Sequence, residues 1–520
     1  MKRFFNTAGP CKADIHYMLP AAERLPEALR LIEQQGYFVV HAPRQTGKTT
    51  TMMALARELT QSGQYVAALV SLEVGAAFND DIDAAERAIL ENWQNTLEFR
   101  LPGELQPPAW AESQPGQRLN SALTGWARVA PRPLVLFLDE IDALQNQLLI
   151  SVLRQLRAGY GERPRGFPYA LALIGLRDVR DYKVAAGGTG ALRARLNTAS
   201  PFNVKVRSLT LDLFTLDEVA TLYSQHTADT GQLFTQAATR RAFDLTQGQP
   251  WLVNALAKMA VEELAPAPTV PITPTHIDQA KEILIGRQET HLDSLAERLR
   301  EPRVRQIIEP MLAGRTLGDV PEDDRRFVID LGLIRRDPAH GLVIANPIYR
   351  EIVPRMLASG PQDTLPYVRP IWLQADGSLD TAQLLQAFLA FWRQHGQPLL
   401  ASAPYHEIAP HLVFMAFLHR VVNGGGSLER EYAIGSRRMD LCLRHGDLVL
   451  GIELKVWRDG ERDPLAEGLG QLDHYLSGLS QQTGWLVIFD RRSGQPPIEE
   501  RTSAEAATTP DGRQVTVIRA

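Results

Sequence analysis

The sequence predicts an α/β fold in its N-terminal part, a helical stretch after it, and a second α/β domain near the C-terminus. Three observations carry this. Apolar runs at 37–40, 65–72, 134–138 and 169–175 alternate with helical patterns, as parallel strands covered on both faces do. A glycine-bearing turn joins the first run directly to a helix. Beyond residue 430 the apolar pattern changes from helical spacing to short strand-like runs separated by tight turns.

At 520 residues the chain has room for about three to four domains. Hydrophobic residues make up 44% and charged ones 22%, and no run of 18 apolar residues occurs, which argues against a membrane span. The start, Met1-Lys2-Arg3-Phe4-Phe5-Asn6, is basic but lacks the apolar core of an export signal. Two cysteines, Cys11 and Cys442, can build neither a disulfide framework nor a zinc site, so a reducing cytoplasm is expected. The net charge of −5 gives no hint of a polyanion partner, and residues 401–520 carry 13 basic against 16 acidic side chains. Nucleic-acid binding would need a local patch. Lysine supplies only 8 of 55 basic residues. A lysine kept in such a chain points to sites where a compact ammonium does what arginine's planar fork cannot; Lys48 and Lys455 are the two candidates.

An amphipathic helix over 24–35 leads into the strand Tyr37-Phe38-Val39-Val40, and a helix begins again at Thr49. Between them lies His41-Ala42-Pro43-Arg44-Gln45-Thr46-Gly47-Lys48-Thr49-Thr50. Amide groups of such a turn can wrap a triphosphate at a helix N-terminus, where the helix dipole favours anions. Residues 42–50 are therefore the candidate ATP cradle, with Lys48 reaching the β- and γ-phosphates and the Thr49 hydroxyl on Mg²⁺. The strict pattern has glycine where this chain has Ala42, a difference of one methyl group.

A loop of this kind calls for an acidic residue at the end of a second buried strand. Leu134-Val135-Leu136-Phe137-Leu138 ends in Asp139-Glu140-Ile141-Asp142. Asp139 is expected to hold Mg²⁺, and Glu140 stands where a general base can polarise the attacking water.

The strand at 65–72 ends at Glu73. A helix from 148 to 158 follows the acidic strand, and the run at 169–175 ends in Leu176-Arg177-Asp178, where Arg177 can sense the γ-phosphate or form a surface ion pair. Residues 202–206 suggest a short strand. Thr215 and Glu218 form a capping box at the start of the next helix, and Gly248-Gln249-Pro250 opens another.

In its order of loop, strand-Asp-Glu, strand-Gly-x-Arg and helical lid with Gly-x-Pro, this half resembles the AAA-like ATPases related to the STAND and archaeal-type branch of AAA+ proteins. The resemblance implies a P-loop NTPase core over 1–210 and a lid over 211–290. It further implies ATP and Mg²⁺ as cofactors and Gly248, Gln249 and Pro250 near the adenine. A nucleotide-dependent homo-oligomer is one assembly it allows. His16 and Tyr17 stand before the first strand, where they would either approach the adenine or pack beneath the helix. The lid lacks the usual Gly-Ala-Arg sensor, which favours a switch over a ring motor.

From 291 to 358 two helices and then, within 331–344, two short strands across a tight turn resemble a winged helix. Its charge is balanced, 11 basic against 11 acidic over 291–360. Prolines at 361, 366 and 370 mark 359–376 as a linker.

The remaining 377–520 begins with helical patterns over 384–393 and 411–421. Strands follow at 430–434, 438–443 and 448–456, the last two joined by a turn at 444–447. Glu453 and Lys455 are two apart on one strand and share a face; Asp440 lies on the partner strand. Two carboxylates and a lysine are the minimum for metal-assisted phosphodiester cleavage. Together with Glu407 on an earlier helix, Gln471 on a later one and the strand 485–489, they resemble the PD-(D/E)XK nuclease superfamily, with Met439-Asp440 in place of Pro-Asp. What this implies is catalysis by Asp440, Glu453 and Lys455, with Mg²⁺ on Asp440 and Glu453 and nucleic acid, DNA ahead of RNA, as partner. Two readings stand open. One is an ATP-controlled nuclease; the other is a regulatory ATPase whose C-terminal domain only binds.

Overall fold

A computed structural model of the chain describes residues 3–176, 204, 206–287, 295, 298–312, 317, 319–338, 341–353, 370–374, 376–402, 409–422, 426–434 and 437–520. Arg177, Glu407 and most of the 359–376 linker lie outside the described residues. The chain divides into two compact units, Met1–Arg287 with Glu322–Ala345, and Gln288–Pro321 with Asn346–Ala520.

The first unit is built on a five-stranded parallel sheet. Its strands are β1 (Tyr37–His41), β2 (Val66–Ser71), β3 (Leu134–Asp139), β4 (Ala170–Gly175) and β5 (Arg207–Thr210), in the order β2-β3-β4-β1-β5. Continuous apolar runs fit it because both faces are covered. Tyr37 and Val39 join one buried cluster with Leu136, Leu138, Trp93 and Trp126, while Phe38 and Val40 join the opposite one with Val135, Phe137, Met52 and Leu55. Helices α1 (Pro26–Glu33) and α2 (Lys48–Gln61) supply the second cluster; α3 (Ile82–Arg100), α4 (Arg118–Val129) and α5 (Asn146–Ala158) supply the first.

Because β4 runs between β1 and β3, the ends of the loop strand and the acidic strand flank a crevice floored by the end of β4. Of the stretch 202–206, residues 202, 203 and 205 lie outside the described residues; pairing with β1 runs over Arg207–Thr210, after Val206 donates its amide to the Tyr37 carbonyl at 2.8 Å. An edge strand with one buried residue, Leu209, leaves no apolar run to mark it.

Four α-helices follow the sheet: α6 (Leu216–Thr230), α7 (Gln236–Thr246), α8 (Pro250–Met259) and α9 (Pro274–Arg287). The capping box forms as the sequence requires. The Thr215 hydroxyl accepts from the Glu218 amide at 3.2 Å, and the Glu218 carboxylate accepts from the Thr215 amide at 2.7 Å. In the second unit lies α10 (Pro302–Leu312). Helix α11 (Glu322–Asp330) and the antiparallel pair β6 (Ile334–Asp337) and β7 (Gly341–Ile344) belong to the first unit.

Most of the second unit is α12 (Thr381–Ser402), α13 (Ala409–Val422) and a mixed six-stranded sheet. Its strands are β8 (Gly426–Ile434), β9 (Arg437–His445), β10 (Leu448–Trp457), β11 (Gly484–Asp490), β12 (Ser503–Thr508) and β13 (Gln514–Arg519), ordered β12-β13-β11-β10-β9-β8. Strands β8, β9 and β10 are antiparallel neighbours, whereas β10 and β11 are parallel with α14 (Leu465–Gly478) between them in the chain. Leu472 and Leu476 of α14 pack on Leu486 and Ile488 of β11, which holds the helix over the sheet.

Candidate functional site

Between β1 and α2 the backbone turns through two left-handed residues, Gln45 at φ +57° and Gly47 at φ +89°. Glycine takes such a φ without steric cost, and here it releases the chain directly into α2 at Lys48. The Thr46 hydroxyl donates to the Pro43 carbonyl at 2.8 Å and tightens the turn. Ala42 is buried, while Arg44 and Gln45 are exposed at the rim. Lys48 Nζ donates to the carbonyls of Ala42 (2.7 Å) and Pro43 (2.8 Å). Burial lowers the pKa of Lys48 and nearby acidic groups partly restore it, Asp142 first, then Glu140 and Asp139. Thr50 is engaged by its hydroxyl, which accepts the Cys11 amide at 3.0 Å.

Across the crevice, the Thr49 hydroxyl donates to Asp139 Oδ2 at 2.7 Å, and Asp139 Oδ1 accepts the Glu140 amide at 3.0 Å. Burial raises the Asp139 pKa against these two bonds. Glu140 sits at φ +57°, unusual for a side chain of its size. Its pKa is pushed up to about 7, by burial first and then by the Asp142 and Asp139 charges. Cradle and acidic pair, predicted from separate stretches, thus meet through one hydrogen bond. A hydroxyl and a carboxylate in contact at the start of a helix are oxygen donors of the kind Mg²⁺ takes.

The helical segment after β5 reaches the loop at Gln249, whose side-chain amide donates to the Gln45 carbonyl at 3.4 Å and whose side-chain oxygen caps α8 by accepting the Leu252 amide at 2.6 Å. Gly248 has φ +76°, and a Cβ there would stand 1.8 Å from the Phe214 carbonyl oxygen. Pro250 opens α8. Tyr17 goes into packing. It is buried beside Phe5 and its hydroxyl is 3.3 Å from His226 Nδ1. His16 accepts the Lys12 amide on Nδ1 at 2.9 Å and meets Phe4 edge-on. Gln249 thus sits where the Gly-x-Pro turn was expected to approach the nucleotide, whereas Asp142 carried no assigned role in the sequence and was marked only by its place two residues after Glu140.

In the second unit, the β9–β10 ladder runs from Leu448↔His445 to Ile452↔Leu441, so the next position brings Glu453 opposite Asp440. There the Leu454 amide donates to Asp440 Oδ2 at 2.8 Å. Lys455 Nζ lies 3.1 Å from Glu453 Oε1 and 3.7 Å from Glu467 Oε1, and donates to Gln471 Oε1. Glu453 Oε2 is buried without a hydrogen-bond partner. Burial, then the neighbouring Asp440 charge, raises the Glu453 pKa. A buried carboxylate oxygen without a partner beside a second carboxylate is costly unless a proton or a cation meets it. Such a pair suits an ion that keeps several of its waters. Among the described residues no group of three or more His, Cys, Asp or Glu side chains is arranged to hold a metal ion.

A parallel sheet with a phosphate loop on one strand end and an acidic pair two strands away defines a P-loop nucleotide-binding core. The AAA-like domain family matches residues 9–276, and the chain belongs to that family. Among solved structures it is similar to the Walker-type ATPase PABY2304 of Pyrococcus abyssi, at 12% identity and TM-score 0.45 over 66% of this chain and 98% of that one. It also resembles the Aeropyrum pernix ORC2 protein, at 15% identity and TM-score 0.40 over 65% and 93%, and the Thermotoga maritima RuvB Holliday junction branch migration motor, at 16% and 0.33 over 62% and 90%. No curated protein matches the chain. No helix of the described residues is long and apolar enough to cross a membrane.

Proposed function

We propose that this AAA-like ATPase is an ATP-hydrolysing switch that controls a C-terminal Mg²⁺-dependent nuclease-type domain acting on nucleic acid, DNA ahead of RNA. In this reading residues 1–210 are the ATPase core, 211–290 the lid, 291–358 a winged-helix-like element, 359–376 a linker and 377–520 the PD-(D/E)XK-like domain. Residues 42–50 cradle the phosphates, Lys48 leaves the loop carbonyls for the β- and γ-phosphate oxygens, and Glu140 takes a proton from the attacking water. Gly248 and Pro250 bring the lid to the nucleotide, and Arg177 serves as the γ-phosphate sensor. Thr49 with Asp139, and Asp440 with Glu453, would hold Mg²⁺, which at each place supplies charge neutralisation and a more acidic bound water. In the second site Lys455, steadied by Gln471, faces the phosphate and offsets its developing charge.

The observation that carries the nuclease reading is Glu453, a buried carboxylate with one oxygen unpartnered between Asp440 and Lys455. A second reading, a STAND-like regulatory ATPase whose C-terminal domain only binds nucleic acid or a partner, draws on the lack of a third metal-ligating side chain among the described residues. Incubating the purified chain with supercoiled DNA, single-stranded DNA or RNA and Mg²⁺ tests the choice. We expect cleavage that Asp440→Asn abolishes, with Mg²⁺ or Mn²⁺ binding by calorimetry lost in parallel. Nucleic-acid binding without cleavage by the wild-type chain would leave the second reading standing.

A further inference from the structure

A further carboxylate, Asp142, stands beside the Asp139–Glu140 pair at the end of β3. Asp142 lies half-buried in the single turn Ile141–Ala143 that follows β3. Its Oδ1 accepts the amide of Leu176 at 3.2 Å. Leu176 directly follows β4, and Gly175, the last residue of that strand, accepts the Ala42 amide on its carbonyl at 3.4 Å. The end of β4 is therefore a crosspiece, with the phosphate loop bonded on one side and the acidic turn on the other. Ladder pairing between β3 and β4 ends at Leu138↔Leu173, and past that point, among the described residues, the Asp142–Leu176 bond joins the two. Asp142 is also the carboxylate that bears most on the Lys48 ammonium, ahead of Glu140 and Asp139.

We propose that Asp142 is a positioning residue for ATP hydrolysis, whose carboxylate ties the acidic turn to the end of β4 and so sets Glu140 at its distance from the phosphate loop. This rests on Asp139 and Glu140 being the hydrolytic pair. The turn keeps its own shape through the Ala143 amide on the Glu140 carbonyl at 3.0 Å and the Leu144 amide on the Ile141 carbonyl at 3.3 Å. Without the Asp142 acceptor, then, the turn persists but its attachment to β4 is loosened. Misplacing a general base slows chemistry more than it weakens substrate binding, because the base acts in the transition state. A role through charge on Lys48 makes a different forecast, since it would alter nucleotide affinity and would be lost on neutralising the side chain.

Asn keeps an oxygen acceptor at this position and removes the charge, whereas Ala removes both. We expect Asp142→Ala to lower kcat for ATP hydrolysis about 10- to 100-fold. Its Kd for ATP should stay within about threefold of wild type, and Asp142→Asn should restore kcat to within about threefold. Amide exchange at Leu176 should quicken in Asp142→Ala and return to the wild-type rate in Asp142→Asn. Asp142→Ser, too short to span the gap to the Leu176 amide, replaces the alanine variant if that one melts early. The proposal is overturned if Asp142→Asn is as slow as Asp142→Ala, if alanine leaves kcat unchanged, or if Kd moves in step with kcat. Equal turnover by wild type and Glu140→Gln would instead remove the hydrolytic pair on which it rests, while Leu176 exchange would still report whether the Asp142 tie exists.

Discussion

Replacing Glu140 by Gln keeps the shape of the side chain and removes its titration, and the structure gives two consequences of different kinds. The first is catalytic. A positioned general base contributes about 10²- to 10⁴-fold, so single-turnover ATP hydrolysis by Glu140→Gln should fall by that factor while ATP remains bound. The second concerns stability of the nucleotide-free protein. The Glu140 pKa stands at about 7 in the folded chain against an ordinary 4.5. Because the folded value is the higher one, folding favours the protonated carboxyl. Its contribution is complete below 4.5 and is lost as pH rises through about 7. The difference of about 2.5 corresponds to roughly 3 kcal/mol, and partial solvent exposure brings the expected effect to about 1–2 kcal/mol. Urea unfolding without nucleotide, at pH 5.5 and pH 8, should therefore give a pH dependence in wild type that is smaller by this amount in Glu140→Gln. Equal ATP turnover by the two proteins refutes the base assignment. Equal pH dependence of their unfolding refutes the partly desolvated, charge-crowded setting from which it was drawn.

Lys48→Ala should abolish the ammonium's contact with the phosphates and weaken ATP binding at least about tenfold. If nucleotide state governs the C-terminal domain, the full-length wild type should cleave at different rates with ATP, with ADP and without nucleotide, while Lys48→Ala is indifferent to all three; identical wild-type rates would show that the domains merely travel together. A nucleotide can shift that equilibrium only by as much as its affinity differs between the states. Gly248→Ala should destabilise the lid by roughly 2 kcal/mol, since φ +76° is unfavourable for alanine and its Cβ would press on the Phe214 carbonyl. Thermal melts of the first transition test this, and an unchanged midpoint would contradict the turn geometry.

Local chemistry was legible in the sequence. Apolar runs bounded by polar turns located β1, β2, β3 and β4, because a strand buried on both faces must be apolar along its whole length. The capping box at Thr215 and Glu218 formed as written, since all its partners lie within four residues. Gly47-Lys48-Thr49 and Asp139-Glu140 could be paired across ninety residues because nucleotide chemistry requires both, and Glu453-x-Lys455 fixed a shared face by strand periodicity alone. What the sequence by itself left undetermined needs neighbours that are distant along the chain. That β4 lies between β1 and β3 follows from how crossover helices pack, and it is what brings Leu176 to Asp142. Tyr17 turns into the aromatic cluster with Phe5 and His226 because a hydroxyl partner waits there, a fact no local pattern around residue 17 contains. The same holds for Glu453: spacing places it beside Lys455, but only the packed sheet and α14 bury one of its oxygens with nothing to accept from, which gives that position its chemical interest.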